Sequence, residues 1–296
     1  MISPSFDDLD ARLDAVTRNG GTVSVWLGDL DGRARWTRDA GVPHYAASTM
    51  KLPLVVAFER RVVRGELDPD TPVEVRNLFH SAADSSPFTM DEADDQDPET
   101  WAAVGGTRTL RQLAEHALTH SGNLATNLLL DAVGRDEVAV VLAAADCSPA
   151  TVVARGIEDV AAREAGLTNT VTAADLGVLL SAVARRDERL GGEAVCGPVE
   201  EILSRQVWRD QIPAGLPEGT WTANKTGWVT GVSHDACLVR PADRDPFVLV
   251  VCTTIDLGEE DAARLVASVA RDVWATVALS GEPAGPAVAS PAERSA

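Results

Sequence analysis

Of the 26 basic residues in this 296-residue chain only two are lysines, Lys51 and Lys225. Arginine keeps its charge, whereas a lysine amine sheds its proton when desolvated, so the two lysines mark candidate positions for a titratable amine or a compact charge. Lys51 closes Ser48-Thr-Met-Lys51, at the head of the segment STMKLPLVVAFERRVVRGEL. The apolar residues Leu52, Val55, Val56, Val62 and Val63 in that segment predict a helix from Ser48 to near Gly65. A serine at that start sits at the positive end of the helix dipole, with the amine one turn away on the same face. A hydroxyl needs a base to become a nucleophile, and a partly buried amine beside a second cation can serve. Lys225-Thr-Gly227 falls in the predicted strand TANKTGWV. There a glycine lets a substrate backbone approach, Thr226 offers a hydroxyl to a carboxylate, and the ammonium adds positive potential. His120-Ser121-Gly122-Asn123 is a break between two helical runs, where Ser121 suits proton transfer to a leaving group and Asn123 suits an amide, or a helix cap.

Those three segments must be positioned by elements from distant parts of the chain. Phe6 to Val16 has helical spacing, and Val23 to Thr37 alternates around an Asp-Leu-Asp-Gly turn, which predicts a helix and then a hairpin. Trp221 to Val229, Ala236 to Arg240 and Phe247 to Thr254 read as strands, and Glu259 to Leu279 as an amphipathic helix. The middle is helical: Thr109 and Gln112 form a capping-box pattern, a second helix runs to Gly134, and Thr172 begins a third. The expected class is therefore α+β, an antiparallel sheet flanked by terminal helices with an inserted all-helical lobe. One domain over residues 1–282 is expected, its α/β lobe from 1–47 and 216–282 and its helical lobe from 48–215. Residues 283–296, rich in Ala, Pro and Ser, read as a disordered tail. Asp84 to Gly106, with Asp91, Glu92, Asp94, Asp95, Asp97 and Glu99, reads as a solvated acidic insertion.

Taken together, Ser48-x-x-Lys51, Ser121-x-Asn123 and Lys225-Thr-Gly227 resemble, in order and interval, the S-x-x-K, S-D-N and K-T-G elements of class A β-lactamases and penicillin-binding proteins. The resemblance runs from about Phe6 to Leu279. It implies Ser48 as nucleophile, Lys51 as its proton acceptor or relay, and the N–H groups of Ser48 and Trp228 as the oxyanion hole. It further implies Ser121 as proton shuttle, Asn123 on the substrate's side-chain amide, and Lys225, Thr226, Gly227 and His234 around its carboxylate. Two departures stand out. Gly122 replaces the family's aspartate, which removes an anchor for that loop. Counting back from Asn169-Thr-Val-Thr172 puts Gly156 where class A enzymes carry the glutamate that activates the deacylating water, leaving Glu158 as the nearby substitute.

Composition narrows the alternatives. With 45 acidic residues and a formal net charge of -19, the surface should repel nucleic acid and anionic lipid. No apolar run reaches the roughly 18 residues of a membrane span, and no leader is seen, so the chain as given reads as cytoplasmic, or as secreted with its leader absent. Cys147, Cys196, Cys237 and Cys252 read as buried thiols. His116 and His120 are four apart but lack the glutamate between them that a zinc site on that pattern wants, so neither metal nor organic cofactor is expected. The expected function is a serine hydrolase forming an acyl-enzyme with a small β-lactam-like amide. Its rivals are a D,D-peptidase or esterase with the same motifs, and a binding protein that never turns over.

Overall fold

The computed structural model describes residues 5–279. Five strands form one antiparallel sheet: β1 (Thr22–Gly28), β2 (Ala34–Arg38), β3 (Trp221–Val229), β4 (Val232–Arg240) and β5 (Phe247–Thr254), in the order β2-β1-β5-β4-β3. The N-terminal hairpin thus joins the three C-terminal strands through the β1–β5 pair, with Val25 opposite Val251. The strand edge at β3 is where the lysine motif lies, and Gly227 faces His234 across the β3–β4 pair.

Alternation along β5 explains why the sheet needs cover on both sides. Phe247, Leu249 and Val251 join Leu9, Leu13, Val266 and Val269 in one core, beneath α1 (Phe6–Thr17) and the C-terminal helix Glu259–Leu279. Val248, Val250 and Cys252 join the other core, under helices from the middle of the chain. Those helices are α2 (Lys51–Val63), α3 (Leu110–Thr119), α4 (Asn123–Val133), α5 (Ala173–Ala184) and α6 (Gly192–Ser204). Each large apolar side chain buried this way contributes about 1.5–3 kcal/mol. By chain position α5 and the short helix Ile212–Gly215 fall in the segment 48–215, yet α5 packs on the sheet and Ile212–Gly215 on the C-terminal helix.

Local signals hold where the elements are local. The Thr109–Gln112 capping box forms in both directions, at 3.2 and 2.9 Å, and Thr172 Oγ1 caps α5 by accepting from Asp175 N at 3.0 Å. All four cysteines are free thiols, three of them buried. The expected tail 283–296 lies outside the described residues. Among the described residues no helix is long and apolar enough to cross a membrane.

Candidate active site

Ser48 lies in a 3-10 turn, Ala47–Met50, that leads directly into α2. The turn is entered through Ala47 at φ +44°, a left-handed conformation that costs a non-glycine residue free energy. Ser48 lines a cleft of about 500 Å³ with Ser121, Asn123, Ile157, Glu158 and Trp228. Its hydroxyl makes no hydrogen bond to another described residue, which leaves it open to a ligand.

Behind Ser48, Lys51 is fully buried. Its Nζ donates to Ser121 O at 2.6 Å and Asn123 Oδ1 at 2.8 Å, with Ser121 Oγ at 3.5 Å. Desolvation lowers its pKa to about 7, against the opposing pull of Asp95 and Asp97. Lys225 is equally buried and donates to Ser121 Oγ at 3.1 Å and Thr226 O at 2.8 Å. Burial, and then the neighbouring Lys51 charge, push it well below the ordinary lysine value. One hydroxyl, Ser121 Oγ, therefore sits between two buried amines, of which Lys51 makes Lys225 easier to deprotonate. Ser121 holds that place at φ +62°. Lys225, Thr226 and Gly227 are closed to solvent, and the cleft wall is reached by the residues that follow them, Trp228, Val229 and Thr230. Trp228 is braced edge-on by Trp208, whose Nε1 donates to His120 O at 3.1 Å.

Gly227 answers a need beyond the one expected. A Cβ built there would lie 2.8 Å from Ser48 N and 2.9 Å from Thr49 N, so the glycine lets the turn that carries Ser48 approach the strand. Backbone on both sides leaves little room to yield. Gly227→Ala should cost about 1–3 kcal/mol, as overpacking does, read as a lower Tm, and should slow modification of Ser48 by displacing its N–H. An unchanged Tm would refute the close approach.

The acidic segment is largely solvated, as expected, with Asp91, Glu92, Asp94 and Glu99 exposed, but two of its carboxylates turn inward: Asp95 accepts from Asn123 N and Leu124 N, both at 2.8 Å, and Asp97 is buried. Asn123 Nδ2 donates to Asp94 O at 3.0 Å, so both ends of that amide are engaged within the protein. Charge runs usually favour water; here Asp95 is satisfied by backbone donors at a helix start and Asp97 by Thr100 and a histidine.

A family model described as the beta-lactamase enzyme family matches residues 8–277. The chain belongs to the beta-lactamase enzyme family. A beta-lactamase of Streptomyces albus G is 30% identical over 287 residues, covering 91% of this chain and 84% of that protein. A beta-lactamase of Bacillus licheniformis is 28% identical over 200 residues, or 66% of this chain, and the chain spans 64% of that protein's length. In fold, the chain is similar to a beta-lactamase of Sphaerobacter thermophilus, with a TM-score of 0.77 at 23% identity, covering 95% of this chain and 100% of that one.

Within this family member, two residues singled out from sequence, Gly156 and His234, sit differently from expectation, while Glu158 lines the cleft. Gly156 does not face the Ser48 cleft: it lines a separate cavity with Phe79, Phe88 and Leu130, and a Cβ there would lie 3.1 Å from Asn127 Oδ1. Buried Asn127 clamps the next residue instead, accepting from Ile157 N at 2.8 Å and donating to Ile157 O at 2.9 Å. Ile157 and Glu158 are the ones that line the cleft. Glu158, at φ +62°, accepts from Asp91 N at 2.8 Å through Oε2, while its buried Oε1 has no hydrogen-bond partner among the described residues. Desolvation raises its pKa, and Asp94, Asp91 and Asp95 add to this against the Asp91 N–H bond. His234 is fully buried. Its Nδ1 accepts from Thr253 N at 3.1 Å, so Nε2 carries the proton and donates to Tyr45 O at 2.8 Å. Both nitrogens are thus occupied, away from a substrate carboxylate, and burial lowers its pKa to about 4.

His116 and His120 stack at 4.9 Å, and His116 Nδ1 bonds Asp97 Oδ1 at 2.9 Å. Among the described residues no group of three or more His, Cys, Asp or Glu is arranged to hold a metal ion. Sequence reasoning missed Asp95, Asp97, Asn127 and Ile157. The one signal available was Asn127 in ATNLLL, a polar residue on the apolar face of a helix.

Proposed function

We propose that this protein hydrolyses carboxylate-bearing β-lactam amides through an acyl-enzyme on Ser48. The observation that carries the proposal is the buried series Lys51, Ser121 Oγ and Lys225 behind a serine that lines the cleft. Ser48 Oγ adds to the amide carbonyl carbon while its proton passes to neutral Lys51, and the carbonyl electron pair becomes an oxyanion. The N–H groups of Ser48 and Trp228 receive that charge at the junction that Gly227 permits. As the C–N bond breaks, the nitrogen takes a proton from Ser121 Oγ, which Lys51 replenishes. Lys225 supplies positive potential toward the substrate carboxylate from beneath the strand, with Thr226 beside it, and Asn123, its amide held by Lys51 and Asp94, lines the cleft where the substrate's amide would lie. For release, water adds to the ester, Glu158 accepts its proton, and Ser48 departs with that proton returned.

One observation favours slow release. The clamped Ile157 presents an apolar side chain to the cleft, and Glu158 has one oxygen committed to Asp91 N. A penicillin adduct should therefore accumulate and then decay.

Intact-mass measurement after mixing with a penicillin, followed by peptide mapping, tests both steps. The expected result is one added penicillin mass on Ser48 that appears quickly and disappears slowly. A chromogenic cephalosporin compared with a D-Ala-D-Ala peptide and simple esters separates this reading from a peptidase or esterase. An adduct on another residue, or none with any of these compounds, would sink the proposal.

A further inference from the structure

Helix α4 begins at Asn123 with Gly122 as its N-cap, and Gly122 has no side chain to offer the first N–H groups. A helix start left this way exposes donors that need partners. Here the partner comes from 28 residues upstream: Asp95 Oδ1 takes Asn123 N and Asp95 Oδ2 takes Leu124 N, each at 2.8 Å. A carboxylate at that end also complements the helix dipole. Asp95 is itself held by Trp101 Nε1 at 2.7 Å and by Asp97 N at 3.2 Å.

Asp97 fills the space that a side chain at position 122 would occupy. A Cβ on Gly122 would lie 2.7 Å from Asp97 Oδ2 and 2.8 Å from Asp97 Cβ. The carboxylate accepts from Thr100 Oγ1, Thr100 N and His116 Nδ1, and His116 O in turn accepts from Gly122 N at 3.1 Å. The loop carrying Ser121 and Asn123, which gives Lys51 its two acceptors, is thus tied at both ends to the acidic segment.

We propose that Asp95 and Asp97 form a positioning pair, capping α4 and filling the place left by Gly122, that sets the geometry of Ser121, Asn123 and Lys51 for acylation. Neither residue touches the reacting atoms. The assignment rests on the acylation chemistry proposed above for its kinetic readout, while its structural half is tested without any substrate.

The kinetic test is the acylation rate of Asp95→Ala against pH. Loss of the cap should slow acylation on the order of 10–100-fold, as a small misplacement of catalytic groups does. Desolvation opposes protonation of Lys51, while Asp95 and Asp97 raise its pKa. The acid limb of the acylation profile should therefore move to lower pH in the variant. Asp95→Asn, which keeps one acceptor oxygen, loses the other and removes the charge, should recover part of the rate yet still shift the limb, and it serves if the alanine variant does not fold. A limb and rate unchanged in both variants would overturn the pair as positioning residues.

The structural test is a Tm cycle on Gly122→Asp, Asp97→Gly and the double variant. Each single change should lower Tm, the first by collision and like charge, the second by leaving His116 and Thr100 unpaired. The double variant restores one carboxylate to one space and should recover much of the loss. If the two losses simply add, Asp97 does not occupy the place of a residue at 122, and the assignment fails. If the unmodified protein forms no acyl-enzyme, the functional reading fails while the Tm cycle still decides the packing.

Discussion

Lys51→Met should slow acylation of Ser48 by about 10²–10⁴-fold, the usual cost of losing a positioned proton acceptor. Methionine is unbranched, one atom shorter than lysine and apolar, which suits a fully buried site, so the fold should survive. Lys51→Arg should also stop acylation, because guanidinium cannot accept a proton at neutral pH. It carries more bulk into a site with no free surface, so its Tm should fall further than that of Lys51→Met. Lys225→Arg should be milder, since at that position the charge itself is required and arginine keeps it. In the unmodified protein the acylation rate should rise with pH through about 7, where Lys51 loses its proton.

The same shift affects stability, and its sign follows from proton counting. Between about 7 and the ordinary value of 10.5, unfolded Lys51 binds a proton that the folded protein has shed. Stability contributed by this group therefore increases with pH across that window, and the burial penalty is greatest below it. Lys225, displaced in the same direction, adds to the trend. Stopped-flow mass measurement across pH, with denaturant midpoints on the same samples, checks both. Near-normal acylation by Lys51→Met would show that another group takes the serine proton.

Glu158→Gln should turn slow release into a lasting trap, lengthening the adduct's lifetime by about 10²–10⁴-fold if the carboxylate activates the water. Acylation should be unaffected, which distinguishes this from a general loss of structure. The raised carboxyl pKa predicts that release falls with decreasing pH, along an acid limb above the ordinary carboxylate range. Two further variants probe the wall itself. Gly156→Glu should not restore release to Glu158→Gln, because position 156 faces Asn127 and a separate cavity. Ile157→Glu should restore it, because Ile157 lines the cleft beside Glu158. Adduct decay followed by intact mass decides the matter. Decay unchanged in Glu158→Gln would remove Glu158 from the reaction and leave the water to another base.

Much of the architecture was legible in the chain because the signals are local. Strands Trp221–Val229 and Phe247–Thr254 and the helix Glu259–Leu279 end where their hydrophobic periods and turn residues end. The scarcity of lysine pointed to Lys51 and Lys225, since chemistry that needs a titratable amine cannot be served by arginine. That they share Ser121 Oγ was decided only by tertiary structure, which joins residues 70 and 104 positions apart in sequence. Helix and strand periods carry no information about which loops meet. For that reason one residue of a largely solvated acidic run, Asp95, became the cap of α4, and Gly122, read as a lost anchor, proved to be the space that Asp97 fills. Counting along a loop likewise assumes constant geometry. Asn127 fixes the backbone of Ile157, which turns Gly156 away from the cleft and brings Ile157 and Glu158 to its wall. His234 lies near a motif on the strand next to Lys225, but its burial and two hydrogen bonds depend on Tyr45 and Thr253 from other segments. The sequence by itself determined which residues have the chemistry to act. Long-range packing decided which of them face the cleft, because burial and hydrogen-bond satisfaction are properties of the assembled chain.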